Sequence, residues 1–532
     1  MMKKEYDFSK STSSLSPEPI VKLENYFRDS FDNAVATART CYSSRVVTSE
    51  DVHKDEKARE RRDEIAQSIY KAGHHTTIQH ATFQFILDKV SRQFIWSFLH
   101  SHPFYNSEQV SQRYVHVAHE NFTIPPLGDK PLEIYLSTIR LQMEAYERLI
   151  QILEPVVRAQ YARIFPNRDP ELKKWKSALQ KRGQEVARYA LPVATHAHLY
   201  HTVSGLTLHR YHKLSEQFDT CLEQKIVVQK MIEAVNEVDP LFFKNIEDVI
   251  PLEKTPEYEF FVSRSLSGDV QGREAFLDEF DKALGPLTSK LVDYKVNGQK
   301  SMAQSVRAVL GLSENQLSES EAIDLVLNPA KNPYFSEALN ITTLGKLTRT
   351  MSHPHFTFQK KLSHTADSQD QRHRMTPASR PVLHRHFTAR RPDYITPVLI
   401  EASAEASDFY HETMATVWRS MTALLDEGVK EEFVMYLLPN AFPIRFLESG
   451  DLLNHHHKWT KRLCYTAQEE IWNMCRDEVV QVSEIFPEIG RYMLPPCSLR
   501  NLAGVRPICP EGERFCGVPV WKLPVEEFER VI

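Results

Sequence analysis

Apolar positions along this chain recur at two spacings, and the order in which they do so is written twice. Residues 50–72 are strongly charged, with Ile65, Ile69 and Ala72 on one stripe and Gly73 at the end. That spacing predicts a surface helix stopped by a glycine. The next segment, A-T-F-Q-F-I-L, alternates and is aromatic, which predicts a strand. Residues 131–165, 169–191 and 205–237 are rich in Leu, Glu, Gln, Arg and Ala at helical spacing. A proline- and acid-rich stretch, 238–258, closes this series. The order then repeats: helical patterns over 272–328, the strand H-F-T-F-Q-K-K-L, and a very polar, basic segment from Ser363 to Arg391. Helical patterns follow over 397–426, 428–437 and 449–486.

These patterns predict a mobile lead-in over 1–22, repeat 1 over 23–260, repeat 2 over 261–486 and an irregular tail over 487–532. The expected fold is α+β, each repeat packing helices around a small, mostly antiparallel sheet. The 532-residue length leaves room for two such copies, and 42% hydrophobic with 25% charged residues is an ordinary globular composition. No run of about 18 apolar residues predicts a membrane span, and M-M-K-K-E-Y-D-F-S-K lacks the apolar core of a signal peptide. An odd cysteine count, seven, predicts reduced thiols and a cytoplasmic protein. A net charge of −5 argues against a general nucleic-acid binder. Glycine is scarce, with 16 residues and neither G-x-G-x-x-G nor G-x-x-x-x-G-K-[ST], so a phosphate would be gripped by arginines rather than by a glycine loop.

The chemistry-bearing residues concentrate in repeat 2. His353, Phe356 and Phe358 form H-P-H-F-T-F, and Gln369, Arg372, His373 and Arg374 form Q-D-Q-R-H-R after a gap. Clustered arginines suit an anionic ligand such as a nucleotide; a solvated basic loop or an RNA-facing patch is the plain alternative. Leu438-Pro439, Arg445 and Arg462 follow, then Ala467-Gln468 and Glu470-Ile471. An arginine on an apolar face, such as Arg445, also suits a structural ion pair. His455, His456 and His457 are adjacent, so on a helix they diverge and cannot share one metal. Repeat 1 carries a weaker copy: His80, Phe83 and Phe85 in H-A-T-F-Q-F, His100 in F-L-H-S-H-P, and Ser111, Arg113 and Tyr114 in S-x-R-Y. Cys497, Cys509 and Cys516 could bind zinc given a fourth ligand such as Cys475, but no C-x-x-C pair or nearby histidine supports this. Ordinary thiols and no metal are expected.

Repeat 2 resembles the flavin-dependent thymidylate synthases, which carry H-x-x-F-x-F, a spaced Q-x-x-R-H-R, and a distal leucine-proline helix with two arginines. Arg372 lies nineteen residues after His353, and Arg445 and Arg462 lie seven and twenty-four after Leu438, as in that family. Repeat 2 lacks the family's S-x-R-Y, and Asp451 replaces a flavin-side asparagine. Repeat 1 keeps S-x-R-Y, with Glu108 or Gln109 at the family's acidic position. It has Leu99 and Ser101 beside His100, and His198 and Ser215, where the family has arginines. The losses are complementary.

The resemblance implies reductive methylation of dUMP to dTMP, with methylenetetrahydrofolate as carbon donor, FAD as cofactor and NADPH as reductant. It implies one composite site between the repeats. Ser111, Arg113, Glu108, Gln109, Gln369 and Arg372 would bind substrate, and Arg445 and Arg462 would act on it. His353, Arg372, His373, Arg374, Asp451, His80 and His100 would line the cofactor. A homodimer reproducing the family's tetramer is expected, with no membrane or nucleic-acid partner. The competing expectations are a related FAD and pyrimidine-nucleotide enzyme with an altered reaction, or a non-catalytic nucleotide- or RNA-binding paralogue.

Overall fold

A computed structural model describes residues 14–101, 103–165, 171–216, 219, 221–266, 268–337 and 341–530. Repeat 1 runs β1 (Ile20–Tyr26), α1 (Glu56–Lys71), β2 (Thr82–Ser91), α2 (Arg92–His100), β3 (Tyr105–Gln109), α3 (Asp129–Ile164), α4 (Lys173–Ala187), β4 (His196–Ser204), α5 (Gly205–Lys213) and α6 (Cys221–Val238). Repeat 2 runs α7 (Val270–Leu284), β5 (Ser289–Tyr294), α8 (Gly298–Leu310), β6 (His355–Ser363), α9 (His364–Asp370), β7 (Ala378–Ser379), α10 (Ala404–Asp426), β8 (Pro443–Asp451), α11 (Leu452–Arg462) and α12 (Glu469–Ile485), and α13 (Pro496–Leu502) lies in the tail. The two sheets have the same order, β1-β2-β4-β3 and β5-β6-β8-β7. Every strand pair in them is antiparallel. The α+β expectation and the duplication both hold.

Alternation dictates the central strands. Phe83, Phe85 and Leu87 of β2 are fully buried, as are Phe356, Phe358 and Leu362 of β6. Each buried Phe or Leu contributes about 1.5–3 kcal/mol relative to exposure. Ser91 and Ser363 end these strands and cap the following helices, accepting from the N–H of Phe94 and Ala366.

The compact units do not follow the repeat boundaries expected at 260 and 486. One unit comprises the described residues of Met1–Glu144, Leu191–Val270 and Ala415–Pro439; the other comprises those of Ala145–Ala190, Gln271–Met414 and Asn440–Ile532. Each unit therefore contains a segment belonging in sequence to the other repeat. In the first, Glu223 of α6 accepts from the Ser91 N–H (2.7 Å), the Ser91 hydroxyl (2.6 Å) and the hydroxyl of Tyr436 (2.6 Å), a repeat 2 residue. In the second, Glu470 of α12 accepts from the Ser363 N–H and hydroxyl and from the hydroxyl of Tyr189, a repeat 1 residue, each at 2.5 Å. All six residues are buried or nearly so.

Several expectations change. Residues 1–13 of the expected lead-in, and residues 169 and 170 of an expected helix, lie outside the described residues. From residue 14 onward the lead-in is structured: Leu15 is buried, the N–H of Ser16 donates to the Ile124 carbonyl at 2.9 Å, and β1 begins at Ile20. The segment after Leu438-Pro439 is strand β8, not the start of the helix that the resemblance implies, and β4 follows Leu191-Pro192 in the same way. Proline has no N–H and restrains its predecessor from the helical region, and the residues that follow alternate, Ala197, Leu199, His201 and Val203 pointing inward. The tail also has order, with Leu499, Val520, Val525 and Phe528 buried. Among the described residues no helix is long and apolar enough to cross a membrane.

Candidate active site

In the second unit, α9 ends at Asp370 and the chain turns sharply through Arg372, His373 and Arg374. The His373 N–H donates to the Asp370 carbonyl at 2.9 Å, which closes the turn. Arg462, the last residue of α11, reaches this turn from another element. Its Nε donates to His373 Nε2 at 2.9 Å and its Nη2 to the Gln369 carbonyl at 2.9 Å. Because Nε2 accepts, the His373 proton sits on Nδ1 and the ring is neutral. Burial and the Arg462 charge both hold its pKa well below the ordinary histidine value. The Gln369 amide donates to Gln468 Oε1 at 3.2 Å, and Gln468 in turn donates to the Tyr189 hydroxyl, which is bonded to Glu470. A continuous polar chain thus runs from Arg462 through the Gln369–His373 turn to Glu470.

The structure brings Gln369, His373 and Arg462 together, and with them Gln468, of the Ala467-Gln468 pair noted above, and Tyr189, which no motif marked. Arg372 is exposed on the same turn and Arg374 is half-buried. His353 is held elsewhere, its Nε2 3.0 Å from the hydroxyl of Ser305 on α8. Arg445 belongs to a separate cluster. Only 2% exposed, it forms a bidentate pair with Asp281 (both contacts 2.7 Å) and a third bond to Asp393 at 2.8 Å. Burial disfavours its charge, but these carboxylates outweigh that and raise its pKa. Asp451 caps α11, its Oδ1 accepting from the N–H (3.0 Å) and side-chain amide (2.8 Å) of Asn454, a task aspartate and asparagine perform alike.

In the first unit, S-x-R-Y forms a turn on the surface. The Ser111 hydroxyl accepts from the Arg113 N–H at 3.2 Å, and the Arg113 guanidinium lies 5.4 Å from the ring centre of the exposed Tyr114. On β3, Gln109 Oε1 accepts from Arg92 at 2.9 Å, while Glu108 is exposed. His80 is exposed at the end of a short 3-10 helix (His75–His80). His100 ends α2 with its ring edge against Trp96, centroids 5.0 Å apart.

The two caps also correct the alignment of the repeats. From Ser91 to His100 and from Ser363 to Arg372 the count is the same (100 − 91 = 372 − 363 = 9), so His100 stands opposite Arg372, not His373. Ser101 stands opposite His373, and His102, opposite Arg374, lies outside the described residues. The cause is one extra residue in β2, where Lys89 has φ +54 and the register with β4 slips between Leu87 and Val90.

His455 and His456 diverge, as adjacent helical residues must: His455 stacks on Trp459 at 5.1 Å and His456 packs on Phe335 at 4.7 Å. Cys475, offered as a fourth ligand, is fully buried in α12, whereas Cys464 lies close enough to raise the thiol pKa values of Cys497, Cys509 and Cys516 after burial has done so. Among the described residues no three His, Cys, Asp or Glu are grouped to hold a metal ion.

The sequence profile of the thymidylate synthase complementing protein family matches residues 22–241 and 290–488. The two segments cover well over half of the chain and coincide with the two sheets: the chain belongs to this family, as two tandem copies. Among its relatives are flavin-dependent thymidylate synthases from Clostridium tetani (27% identical over 227 residues, 42% of this chain and 85% of the relative) and Geobacter sulfurreducens (28% over 180 residues, 33% and 74%). Another, from Saccharolobus solfataricus, is 22% identical over 222 residues, 40% of this chain and 80% of the relative. A solved structure similar to part of the chain is a UMP/dUMP methylase, PolB, from Streptomyces cacaoi bound with 5-Br dUMP (16% identity, 43% of this chain, 93% of that chain, TM-score 0.31).

Proposed function

We propose that this chain is a flavin-dependent methyltransferase that converts dUMP to dTMP, using methylenetetrahydrofolate, FAD and NADPH, at one composite site per chain. The observation that carries this reading is the arrangement of Arg462, His373 and Gln369 in the second unit. A guanidinium is held rigidly by a neutral imidazole and a main-chain carbonyl. Those two bonds fix its direction. A cation held this way suits negative charge that develops on a pyrimidine ring during attack at carbon. The half-buried Gln369 amide can present both donor and acceptor to a base edge.

The residues present fit a phosphate-bearing cofactor: Arg372 and Arg374 flank His373, and planar guanidinium groups bind phosphate in bidentate fashion. In this reading Arg372, Arg374, His353, His373 and Asp451 of repeat 2, with His80 and His100 of repeat 1, would hold FAD. Its chemistry when bound is hydride donation. Ser111, Arg113 and Glu108 or Gln109 would hold the nucleotide. The motif halves support this, since S-x-R-Y survives only in repeat 1 and the arginine set only in repeat 2. Arg445, already committed to Asp281 and Asp393, would act mainly by fixing β8.

The test begins with the absorption spectrum of purified protein given FAD, then dUMP, followed by product analysis with methylenetetrahydrofolate and NADPH. A dUMP-dependent shift of the flavin bands and formation of dTMP are expected. Arg113→Ala and Arg462→Ala should each weaken dUMP binding; unchanged affinity in both would end the composite-site reading. A hydroxymethylated product, or turnover of dCMP instead, would replace thymidylate synthesis with a related reaction.

A further inference from the structure

A cluster of five fully buried charged side chains lies in the core of the second unit. Lys360 of β6 pairs with Glu448 of β8 and Glu478 of α12, both at 2.7 Å. Lys458 of α11 pairs with Glu448, with Asp370 at 3.4 Å and with Glu478 at 3.9 Å. Lys360, Lys458, Asp370, Glu448 and Glu478 are each at most 1% exposed. Arg380, beyond β7, ties in a sixth element, bonding Asp367 at 2.6 Å and Asp370 at 3.4 Å with its guanidinium 4.0 Å from the Phe446 ring centre. His455 and Cys475 also border the cluster, and Trp459 and Ser289 donate to Glu478.

Repeat 1 supplies an internal control. Counted from the equivalent latches, Glu223 and Glu470, positions in β4, α5 and α6 differ from those in β8, α11 and α12 by 470 − 223 = 247. Glu448, Lys458 and Glu478 therefore correspond to His201, Tyr211 and Met231. Counting from the aromatic strands (356 − 83 = 273) and from the serine caps (363 − 91 = 272), Lys360 corresponds to Leu87 and Asp370 to Phe98. Those five are buried too, and they form an ordinary core: Phe98 packs on Tyr211 at 4.4 Å and on His201 at 5.1 Å. The same sheet and helices are thus built without any of the charges. Buried ion clusters contribute little stability relative to well-packed apolar residues, because desolvation offsets the attraction. The fold does not require this network.

Its geometric output is the candidate site. Asp370 ends α9, and its carbonyl closes the His373 turn whose other carbonyl, that of Gln369, holds Arg462. Lys458 and Arg462 lie one turn apart on α11, so the helix carrying the cationic anchor of Asp370 also carries the site arginine. We propose that the buried network is a positioning device, in which Lys360, Lys458, Glu448, Glu478 and Arg380 clamp Asp370 and so hold the Gln369–His373 turn against Arg462. Burial opposes ionisation of Asp370, yet Lys458 and Lys360 keep its carboxyl well below the usual range, as a clamp requires.

This inference rests on the thymidylate synthase reading only for its second readout. The test transplants the repeat 1 core into repeat 2: Lys360→Leu, Asp370→Phe, Glu448→His, Lys458→Tyr and Glu478→Met together. A smaller, isosteric variant, Lys458→Met with Glu448→Gln, removes one charge of each sign should the larger one fail to fold. Hydrogen exchange of residues 369–376 is expected to quicken at least tenfold in the first and threefold in the second, with β6 and β8 as protected as in the wild type. In FAD-loaded protein, the dUMP concentration for half-maximal flavin response should rise by similar factors, while the urea midpoint does not fall. Turn exchange within twofold of wild type in a folded variant overturns the proposal. A wild-type protein with no dUMP response sinks the functional reading instead, and leaves the exchange result to decide this one.

Discussion

Replacing Arg445 with methionine separates the two arginines most sharply. Arg445 is buried, and its three bonds at 2.7–2.8 Å are shared between Asp281 and Asp393. Methionine fills much of the volume but leaves two carboxylates facing one another. Removing one partner of a buried pair costs about 3–5 kcal/mol. Asp281 keeps Lys361 at 2.7 Å, and its side chain is 34% exposed, which puts this case near the low end, about 3 kcal/mol. Arg462→Met removes bonds to an imidazole and a carbonyl at a half-buried site and should cost roughly 1 kcal/mol. Urea unfolding followed by tryptophan fluorescence, with Trp459 and Trp472 buried in this unit, reads both. The expected pattern is a large stability loss with residual dUMP binding for Arg445→Met, and near-normal stability with binding lost for Arg462→Met. A stable Arg445→Met that no longer binds dUMP would refute the assignment and make Arg445 the ligand-facing cation.

Tyr189→Phe deletes a charge-assisted bond to Glu470 and strands the Gln468 amide, so about 2 kcal/mol should be lost; a urea midpoint equal to wild type would mean the latch is unimportant. His386, buried against Phe276, has its pKa pushed down to about 3 by burial, Arg445 and His384. Its folded value lies below the unfolded one near 6.5, so only the unfolded chain takes up the proton, and its contribution is intact above that value and lost as pH falls. His386→Phe should therefore lose about 2 kcal/mol less than wild type between pH 7 and 5; identical pH sensitivity of the two proteins contradicts this. Among the thiols, Cys41 is exposed, whereas Cys497 is pushed up to about 12 and Cys516 to about 11, chiefly by burial. Iodoacetamide at pH 8 should label Cys41 long before these two, and mass spectrometry showing the reverse order would place the tail differently.

The duplicated α+β plan was readable because β2 and β6 bury phenylalanines at strict alternation. Strand β8 was missed because it carries Pro443, Glu448, Gly450 and Asp451, residue types depleted in strands, and β4 because three of its nine residues are histidines. β8 moreover buries Glu448, where alternation predicts an apolar side chain, and Arg445 on its other face. The candidate site came from motif spacing, which picked out Gln369, His373 and Arg462, three residues that the structure places together. Spacing failed at His100, since a bulge at Lys89 shifts the count by one. The pairings of Gln468 with Gln369 and Tyr189, and of Lys360 with Glu448 and Glu478, span about 90 to 280 residues, and periodicity contains no information about those.

The segment exchange has a hereditary consequence. In an assembly of identical chains, any mutation appears at every equivalent position at once, so a change useful on one face must be tolerable on the other. Once the copies share a single chain, that obligation ends. Arg462 and Ser215, Lys458 and Tyr211, or Asp370 and Phe98 can each be selected separately. Yet neither copy can be discarded, because Ala145–Ala190 and Ala415–Pro439 complete the unit built mainly from the other. A deletion of the less functional half would remove structure from both. The exchanged segments thus explain how a copy lacking most of the motif arginines persists: it is free to diverge in sequence while remaining bound by architecture.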